Sequence, residues 1–124
     1  MNPKIATAAR ILFGLLCLLF GIDKFVPFLE VPPIPGDGGE LMRIYAKSGF
    51  LKIIGGLEIL GGLALLANKF IPLAVIVLLA IMFNALIIHL LYDPINSVGA
   101  IAGLIMGFIL IYSEKERFAA LFSA

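Results

Sequence analysis

The sequence is poor in the residues that build most metal and redox centres. It has one cysteine, one histidine and no tryptophan among its 124 residues. A single cysteine, Cys17, can form neither an internal disulfide nor a Cys-x-x-Cys centre. With His89 as its only histidine, the chain by itself lacks the ligands of a Cys and His zinc site and of a bis-histidine haem. We therefore expect no metal site within this chain.

Charge is also scarce. Charged residues make up 14% of the chain, the formal net charge is +1, and there is no basic run. These values exclude the electrostatic footprint of a nucleic-acid-binding protein. Hydrophobic residues reach 62% and the mean hydropathy is +1.15, which is not the composition of a soluble domain. The expected partner of this surface is a lipid bilayer.

Four apolar runs are long enough, or nearly so, to cross a bilayer core. Asn2-Pro3 has the pattern of a helix N-cap followed by proline at the first helical position, ahead of the first run. A signal peptide is the alternative for this run, but no small-x-small cleavage site follows it. Asp93-Pro94 ends the third run. The predicted spans are residues 5–22, 50–67, 71–92 and 95–112.

The connection after the first span contains a short helical pattern. Three prolines within residues 31–35 (VPPIP) exclude regular helix and sheet there and predict an extended loop. Asp37 and Glu40 then have the spacing of a capping box, and apolar and charged residues alternate on the turns that follow. We predict a short helix over residues 38–47 that lies in the membrane interface.

These elements predict an all-α fold: a four-helix up-and-down membrane bundle with one interfacial helix, forming a single domain over residues 1–124. Both termini then lie on the same side of the membrane. Lysines and arginines divide five to four between the two sides: Lys4, Arg10, Lys69, Lys115 and Arg117 on the terminal side, and Lys24, Arg43, Lys47 and Lys52 on the other. The positive-inside rule therefore favours cytoplasmic termini in a plasma (inner) membrane.

Small residues form stripes that predict close helix packing. Gly55 and Gly62 share one helix face with Glu58, an acid at membrane depth. In the first span, Arg10, Gly14, Cys17 and Gly21 form a second stripe, and in the fourth, Gly99, Gly103 and Gly107 are spaced four apart. Arg10 lies some 20 Å from the outer face and is predicted to be a topology anchor.

An ionisable group at membrane depth is a functional-site hypothesis by default. The helical rise of about 1.5 Å per residue places Glu58 and Asn84 at a similar depth, with His89 about a turn nearer the outer face. Asp23 and Lys24 lie at the mouth of the first helix. We predict that these five residues form a polar pocket, although the step from Asn84 to His89 turns about 140° and requires different neighbours. The structural alternative is hydrogen bonding between helices and a solvated helix end.

Six segments carry a recognisable pattern in this order: residues 9–15 (ARILFGL), 20–25 (FGIDKF), 31–35 (VPPIP), 48–50 (SGF), 56–62 (GLEILGG) and 84–90 (NALIIHL). Together they resemble the DoxX family of small four-helix membrane proteins. The family is named for a relative of the membrane subunit of an archaeal thiosulfate:quinone oxidoreductase, and other members are associated with thiol redox stress or with membrane assembly. The resemblance implies that Arg10, Asp23, Lys24, Glu58, Asn84 and His89 are the family-like polar residues.

Three functions are consistent with these patterns. The first is an accessory or redox-associated subunit of a quinone- or thiol-linked membrane system, with a proton exchanged at Glu58 or His89. The second is a non-enzymatic assembly subunit that packs through the glycines of the fourth span against other membrane subunits or against itself. The third, less favoured, is a small proton-coupled exporter. Enzymatic activity stays open, and the cofactor stays open between a quinone and a bound lipid.

Overall fold

The protein is all-helical, as the sequence predicts. A computed structural model describes residues 1–29 and 32–123, and within these ranges it contains no β-strand. Val31, the first residue of the predicted proline loop, lies outside the described residues. The described part contains six α-helices and one short 3₁₀ turn: α1 (Pro3–Asp23), α2 (Gly36–Ser48), α3 (Phe50–Leu66), α4 (Ile71–Tyr92), the 3₁₀ turn (Pro94–Asn96), α5 (Val98–Ser113) and α6 (Lys115–Phe122).

Two of these helices, α1 and α4, are long and apolar enough to cross a membrane. They contain 21 and 22 residues. Two further pairs meet the same criterion only when both members are counted together: α2 with α3, bent by 79°, and α5 with α6, bent by 96°. The described residues therefore contain two to four candidate spans, which suggests that the protein resides in a membrane.

Both ends of α1 follow from local sequence signals. The Oδ1 atom of Asn2 accepts a hydrogen bond from the Lys4 backbone N–H at 2.9 Å, and Pro3 occupies the first turn. This cap starts the helix at Pro3, two residues before the apolar run itself. At the other end, the Lys24 backbone N–H donates to the carbonyls of the last turn.

The start of α2 differs from the predicted capping box. The helix begins at Gly36 with Pro35 as the N-cap residue, and no side chain caps it. Glu40, the predicted reciprocal partner, instead accepts two hydrogen bonds from the Arg43 guanidinium one turn later. A bidentate pair with arginine is a stronger interaction for a carboxylate than one backbone N–H. Gly49 then adopts φ of 86°, a left-handed conformation that suits glycine and that ends α2 and allows the sharp bend into α3.

The fourth predicted span begins later than the sequence indicated. Residues 94–96 form a 3₁₀ turn, and α5 begins at Val98. Pro94 cannot continue the hydrogen-bond ladder of α4, and the Ser97 hydroxyl donates to its carbonyl oxygen at 2.8 Å. Residues 95 and 96, which were predicted to begin the span, therefore belong to this tighter turn instead.

The four longest apolar helices pack around a common core. Helix α1 contacts α3 and α5, and α4 contacts the same two helices from the other side. Phe13 of α1 is completely buried and lies against the backbone of α5 at Gly103 and Gly107. Other buried core residues are Cys17, Leu65, Ile71, Val75, Leu78, Met82, Leu110 and Phe118.

Close contacts define two ends of this structure. Gly38 in α2 lies against Tyr92, the last residue of α4, and Gly55 near the start of α3 lies against Lys24 at the end of α1. We call this the α2 end. The opposite end, where Arg10 of α1 meets the last residues of α3, is called the terminal end.

Candidate functional site

The candidate site lies along the interface between α1 and α3, the most extensive helix contact in the described residues. The two helices run antiparallel and touch at two pairs of glycines. A Cβ atom added to Gly62 would lie 2.7 Å from the Gly14 carbonyl oxygen, and one added to Gly21 would lie 2.7 Å from that of Gly55. Neither distance is possible for a real side chain. The backbones are therefore in direct contact, as small-residue interfaces between membrane helices allow.

At the α2 end of this interface, Lys24 and Glu58 form an ion pair. The Lys24 Nζ atom lies 2.6 Å from the Glu58 Oε1 atom. The partners differ in burial, because the Lys24 side chain is 23% exposed and the Glu58 side chain only 2%. Besides this ion pair, Oε1 receives no hydrogen bond of standard geometry from a described residue. Glu58 therefore depends on Lys24 for its charge compensation.

The backbone holds Lys24 in this position. Gly55 lies one turn before Glu58, and a Cβ atom there would come within 2.9 Å of the Lys24 Cβ atom. The Lys24 ammonium also donates to the Phe20 carbonyl oxygen of its own helix at 3.4 Å. The glycine thus lets the lysine stem pass across α3 and reach a carboxylate one turn deeper.

At the terminal end of the same interface, Arg10 binds the C-terminus of α3. Its Nη1 atom donates to the carbonyl oxygens of Leu65 at 2.5 Å and Leu66 at 3.3 Å. These carbonyls belong to the last turn of α3, where no intrahelical donor is available and where the helix dipole favours a cation. The predicted topology anchor is therefore placed as a cap on another helix, far from Glu58.

Cys17 lies between the two glycine contacts on the same stripe of α1. Its side chain is completely buried, and it is a free cysteine. The spacing of Arg10, Gly14, Cys17, Gly21 and Lys24 alternates between four and three residues, which keeps all five on one helix face. The sequence stripe thus corresponds to the face that packs on α3.

Asp23 does not join the Lys24–Glu58 pair. Its Oδ1 atom accepts hydrogen bonds from the backbone N–H groups of Phe28 and Leu29, both at 2.8 Å. The carboxylate therefore closes the turn that follows α1.

His89 belongs to a separate cluster at the end of α4. Its Nδ1 atom lies 2.7 Å from the Oδ1 atom of Asp93, and the Asn96 amide donates to the other carboxylate oxygen at 3.0 Å. Burial alone would raise the pKa of Asp93, but the hydrogen bonds from Asn96 and His89, together with the attraction of His89, hold the pKa below its usual value. The cluster connects α4 to the 3₁₀ turn.

Sequence reasoning missed Asp93 as a partner and treated it only as a helix stop. The signal that could have found it is the four-residue spacing from His89, which places both side chains on one face of the last turn. The Asp93 side chain is only 7% exposed, so its carboxylate has little contact with solvent and relies on the hydrogen bonds with His89 and Asn96.

Asn84 lies outside the predicted pocket. Its side chain is exposed, on the face of α4 opposite the buried residues Val75, Leu78 and Met82. Asn84 follows Met82 by two residues, which is a rotation of about 200° in a helix. His89 follows Met82 by seven residues, almost two full turns, and so returns to the inner side. The two polar residues of α4 therefore face different surroundings.

The glycines of α5 pack within the chain. A Cβ atom on Gly103 would lie 2.7 Å from the Met82 sulfur, one on Gly107 would overlap the Leu79 side chain, and one on Gly99 would lie 3.3 Å from the Phe20 ring. The stripe is thus occupied by α1 and α4. The assembly hypothesis needs these glycines to be free for another subunit, whereas here they contact helices of the same chain.

The structure therefore divides the five predicted pocket residues into four environments. Only Lys24 and Glu58 are in direct contact. Within the described part of the chain, no group of three or more His, Cys, Asp or Glu residues is arranged to hold a metal ion. No family model, curated protein or solved structure matches the chain.

Proposed function

We propose that the chain is an integral membrane protein in which α1, α3, α4 and α5 cross the bilayer as an up-and-down bundle. Helices α3 and α5 contain 17 and 16 residues, about 25 Å of helix, which is slightly short for a hydrocarbon core of about 30 Å. The bends that join them to α2 and α6 support this arrangement, because each amphipathic helix then lies along one membrane surface. The bias of lysine and arginine favours cytoplasmic termini in an inner membrane.

Within that membrane, we propose that the protein is an accessory subunit of a quinone-linked redox system, as the resemblance to the DoxX family implies. The observation that carries the proposal is the Lys24–Glu58 pair. A carboxylate that is 2% exposed inside a membrane helix is costly, and such groups commonly mark proton or ligand pathways. Reduction of a quinone requires protons as well as electrons. In this proposal a partner subunit supplies the two electrons, and Glu58 takes up the two protons one after the other and passes each to the quinone.

The surroundings of Lys24 fit an isoprenoid ligand. Phe25, Val26 and Phe28 follow it directly and are exposed by 46%, 66% and 50%. A quinone ring that approaches from the lipid would thus meet an apolar surface beside the partly exposed Lys24 side chain. Lys24 would bind a quinone oxygen while Glu58 lies 2.6 Å behind it.

The quinone-linked form of the hypothesis is better supported than the thiol-linked form. Thiol exchange requires a thiolate that a second sulfur can reach. Cys17 is completely buried between α1 and its neighbours. Its position therefore suits packing rather than exchange with a partner thiol.

The test compares Glu58→Gln with Glu40→Gln, which makes the same chemical change at an exposed pair on α2. Each variant is purified with its native partners in mild detergent, and bound isoprenoid quinone and the rate of quinone reduction are measured. We expect Glu58→Gln to retain bound quinone but to slow reduction by about a hundredfold, the usual size of a general acid–base contribution. Glu40→Gln should behave as the unmodified protein.

Two results would contradict the proposal. One is a preparation that binds no quinone at any stage. The other is a Glu58→Gln variant whose rate of quinone reduction equals that of Glu40→Gln.

A further inference from the structure

Asn84 is a polar side chain on an otherwise apolar surface. The exposed residues on the same side of α4 are Ala80, Phe83, Ile87 and Leu91. Among residues 1–29 and 32–123, none forms a hydrogen bond with the Asn84 amide, whereas His89 on the same helix is paired. The amide therefore projects from the outer face with no partner in the described part of the chain.

The depth of Asn84 makes this arrangement costly. Helix α4 has 22 residues, and Asn84 lies about 12 Å from its last residue and about 20 Å from its first. In a membrane-spanning α4, the amide is therefore well inside the hydrocarbon region. Water is not available there, and an amide without a hydrogen-bond partner is strongly disfavoured.

We infer that Asn84 marks the contact between two copies of this chain, with the outer face of α4 of one copy packed against that of the other. Polar side chains are known to hold membrane helices together through hydrogen bonds. The two Asn84 amides would pair directly at the centre of this contact. The inference rests on the membrane-spanning part of the proposed function but not on its redox part.

The chemistry of the amide favours a second copy as the partner. An asparagine side chain has two N–H donors and a carbonyl acceptor, so two of them can satisfy each other reciprocally. A twofold axis along the membrane normal places both copies in the same orientation. Asn84 then meets Asn84 at the same depth without any adjustment. A single interhelical asparagine pair fixes register and oligomeric state in coiled coils by the same reciprocity.

The neighbouring residues allow the close approach that this hydrogen bond needs. Ala80 lies one turn before Asn84 on the same exposed face and leaves space for the partner helix. Ile87, 42% exposed, lies about one turn after it. The rest of this face is apolar and would contribute packing. The glycines of α5 are already covered within the chain, so this face is the more suitable interface.

The first experiment measures dimerisation in liposomes by energy transfer between two fluorescent labels while the protein is diluted with lipid. We expect a dimer whose dissociation constant rises about tenfold in Asn84→Leu, the size expected for one interhelical hydrogen bond. Asn84→Gln keeps the amide and should stay within a fewfold of the unmodified protein. Circular dichroism of each variant verifies that helix content is unchanged.

A second experiment locates the contact by disulfide cross-linking in native membranes, in a Cys17→Ala background. Ile87→Cys should give a cross-linked dimer on mild oxidation, and the same variant combined with Asn84→Leu should give much less. Leu57→Cys, an exposed position on α3, is the matched control and should give none.

The outcomes separate this inference from the proposed function. A chain that alkaline washing removes from membranes would contradict the membrane-spanning arrangement and, with it, both proposals. A chain that stays in the membrane but is monomeric at every dilution contradicts the dimer alone. A dimer that Asn84→Leu leaves unchanged, or one that cross-links through Leu57→Cys instead, also contradicts it.

Discussion

The ammonium of Lys24 lies 2.6 Å from the carboxylate of Glu58, and the two side chains are unequally exposed, at 23% and 2%. This inequality determines how each partner behaves when the other is removed. Lys24 has a flexible stem and lies at the end of α1, so its ammonium can turn outward when Glu58 is removed. Glu58 has no such route, because Gly21 and Gly55 bring the two backbones together directly beside it.

We predict that Lys24→Met lowers the free energy of unfolding by about 3 kcal/mol, because it leaves an uncompensated carboxylate in the interior. Glu58→Gln should lower it by only about 1 kcal/mol, since the freed lysine can turn toward water. The double variant Lys24→Met, Glu58→Leu should recover most of the loss. Reversible unfolding in mixed micelles measures all three. Equal losses in the two single variants would show that the burial difference has no energetic effect.

The glycine contacts predict a strong dependence on position. Gly62→Ala places a Cβ atom 2.7 Å from the Gly14 carbonyl oxygen and 2.9 Å from the Leu18 backbone nitrogen, so the helices must separate. We expect a loss of about 1 to 3 kcal/mol in unfolding free energy. Gly56→Ala is the matched control on the same helix, where nothing lies within 4 Å of the added Cβ atom. It should be neutral or should stabilise the helix by up to about 1 kcal/mol. Similar losses at both positions would argue against backbone contact.

Arg10 should contribute to stability as a cap. Arg10→Met removes two charge-assisted hydrogen bonds to the last turn of α3 and should lower the unfolding free energy by about 2 kcal/mol. Arg117→Met removes a pair with Glu114 whose partners are 52% and 32% exposed, and it should have little effect. Amide exchange at Leu65 to Ala67 should accelerate only in Arg10→Met. A uniform acceleration along the chain would indicate general loss of packing instead.

The Asp93 cluster predicts a loss of stability in acid. The folded protein holds the pKa of Asp93 below its ordinary value, chiefly because the hydrogen bonds from Asn96 and His89 outweigh the effect of burial. The stability gained is therefore fully present above the ordinary aspartate value of about 3.9 and is lost as the pH falls below it through the folded value.

Unfolding measured from neutral pH down to about pH 2 checks this prediction, in the range around the aspartate pKa. Asp93→Asn should remove this part of the pH dependence, and Asn96→Leu should reduce it. If Asp93→Asn has the same acid profile as the unmodified protein, the cluster does not stabilise the folded state.

Much of the fold could be predicted from the sequence because its signals are local. Such signals depend only on neighbouring residues and on backbone chemistry. They include the long apolar runs, the Asn2-Pro3 cap and the Asp93-Pro94 stop. The same holds for the faces of α1 and α3, since helical period places Gly14 with Gly21 and Gly55 with Glu58 wherever the helices pack. The capping box predicted from Asp37 and Glu40 does not form: α2 begins at Gly36, and Glu40 binds Arg43 instead.

The partners of the polar residues depended on the tertiary structure. Depth along a helix can be calculated from sequence, and it placed Glu58 and Asn84 at the same level. Rotation about the helix axis relative to the neighbours cannot be calculated in this way when every face is apolar. In the structure Met82 is buried in the core, and Asn84, two residues later on the opposite side of the helix, is therefore exposed.

The composition and periodicity of this chain thus determined that it is helical and apolar, and which residues share a face. The tertiary structure decided which of those faces meet. It paired Glu58 with Lys24 because two glycines allow α1 to cross α3 at backbone contact. It placed Arg10 at the end of α3, where the last carbonyls have no donor within the helix. Short-range chemistry acts along the chain, whereas contacts between distant helices are selected by their fit to one another.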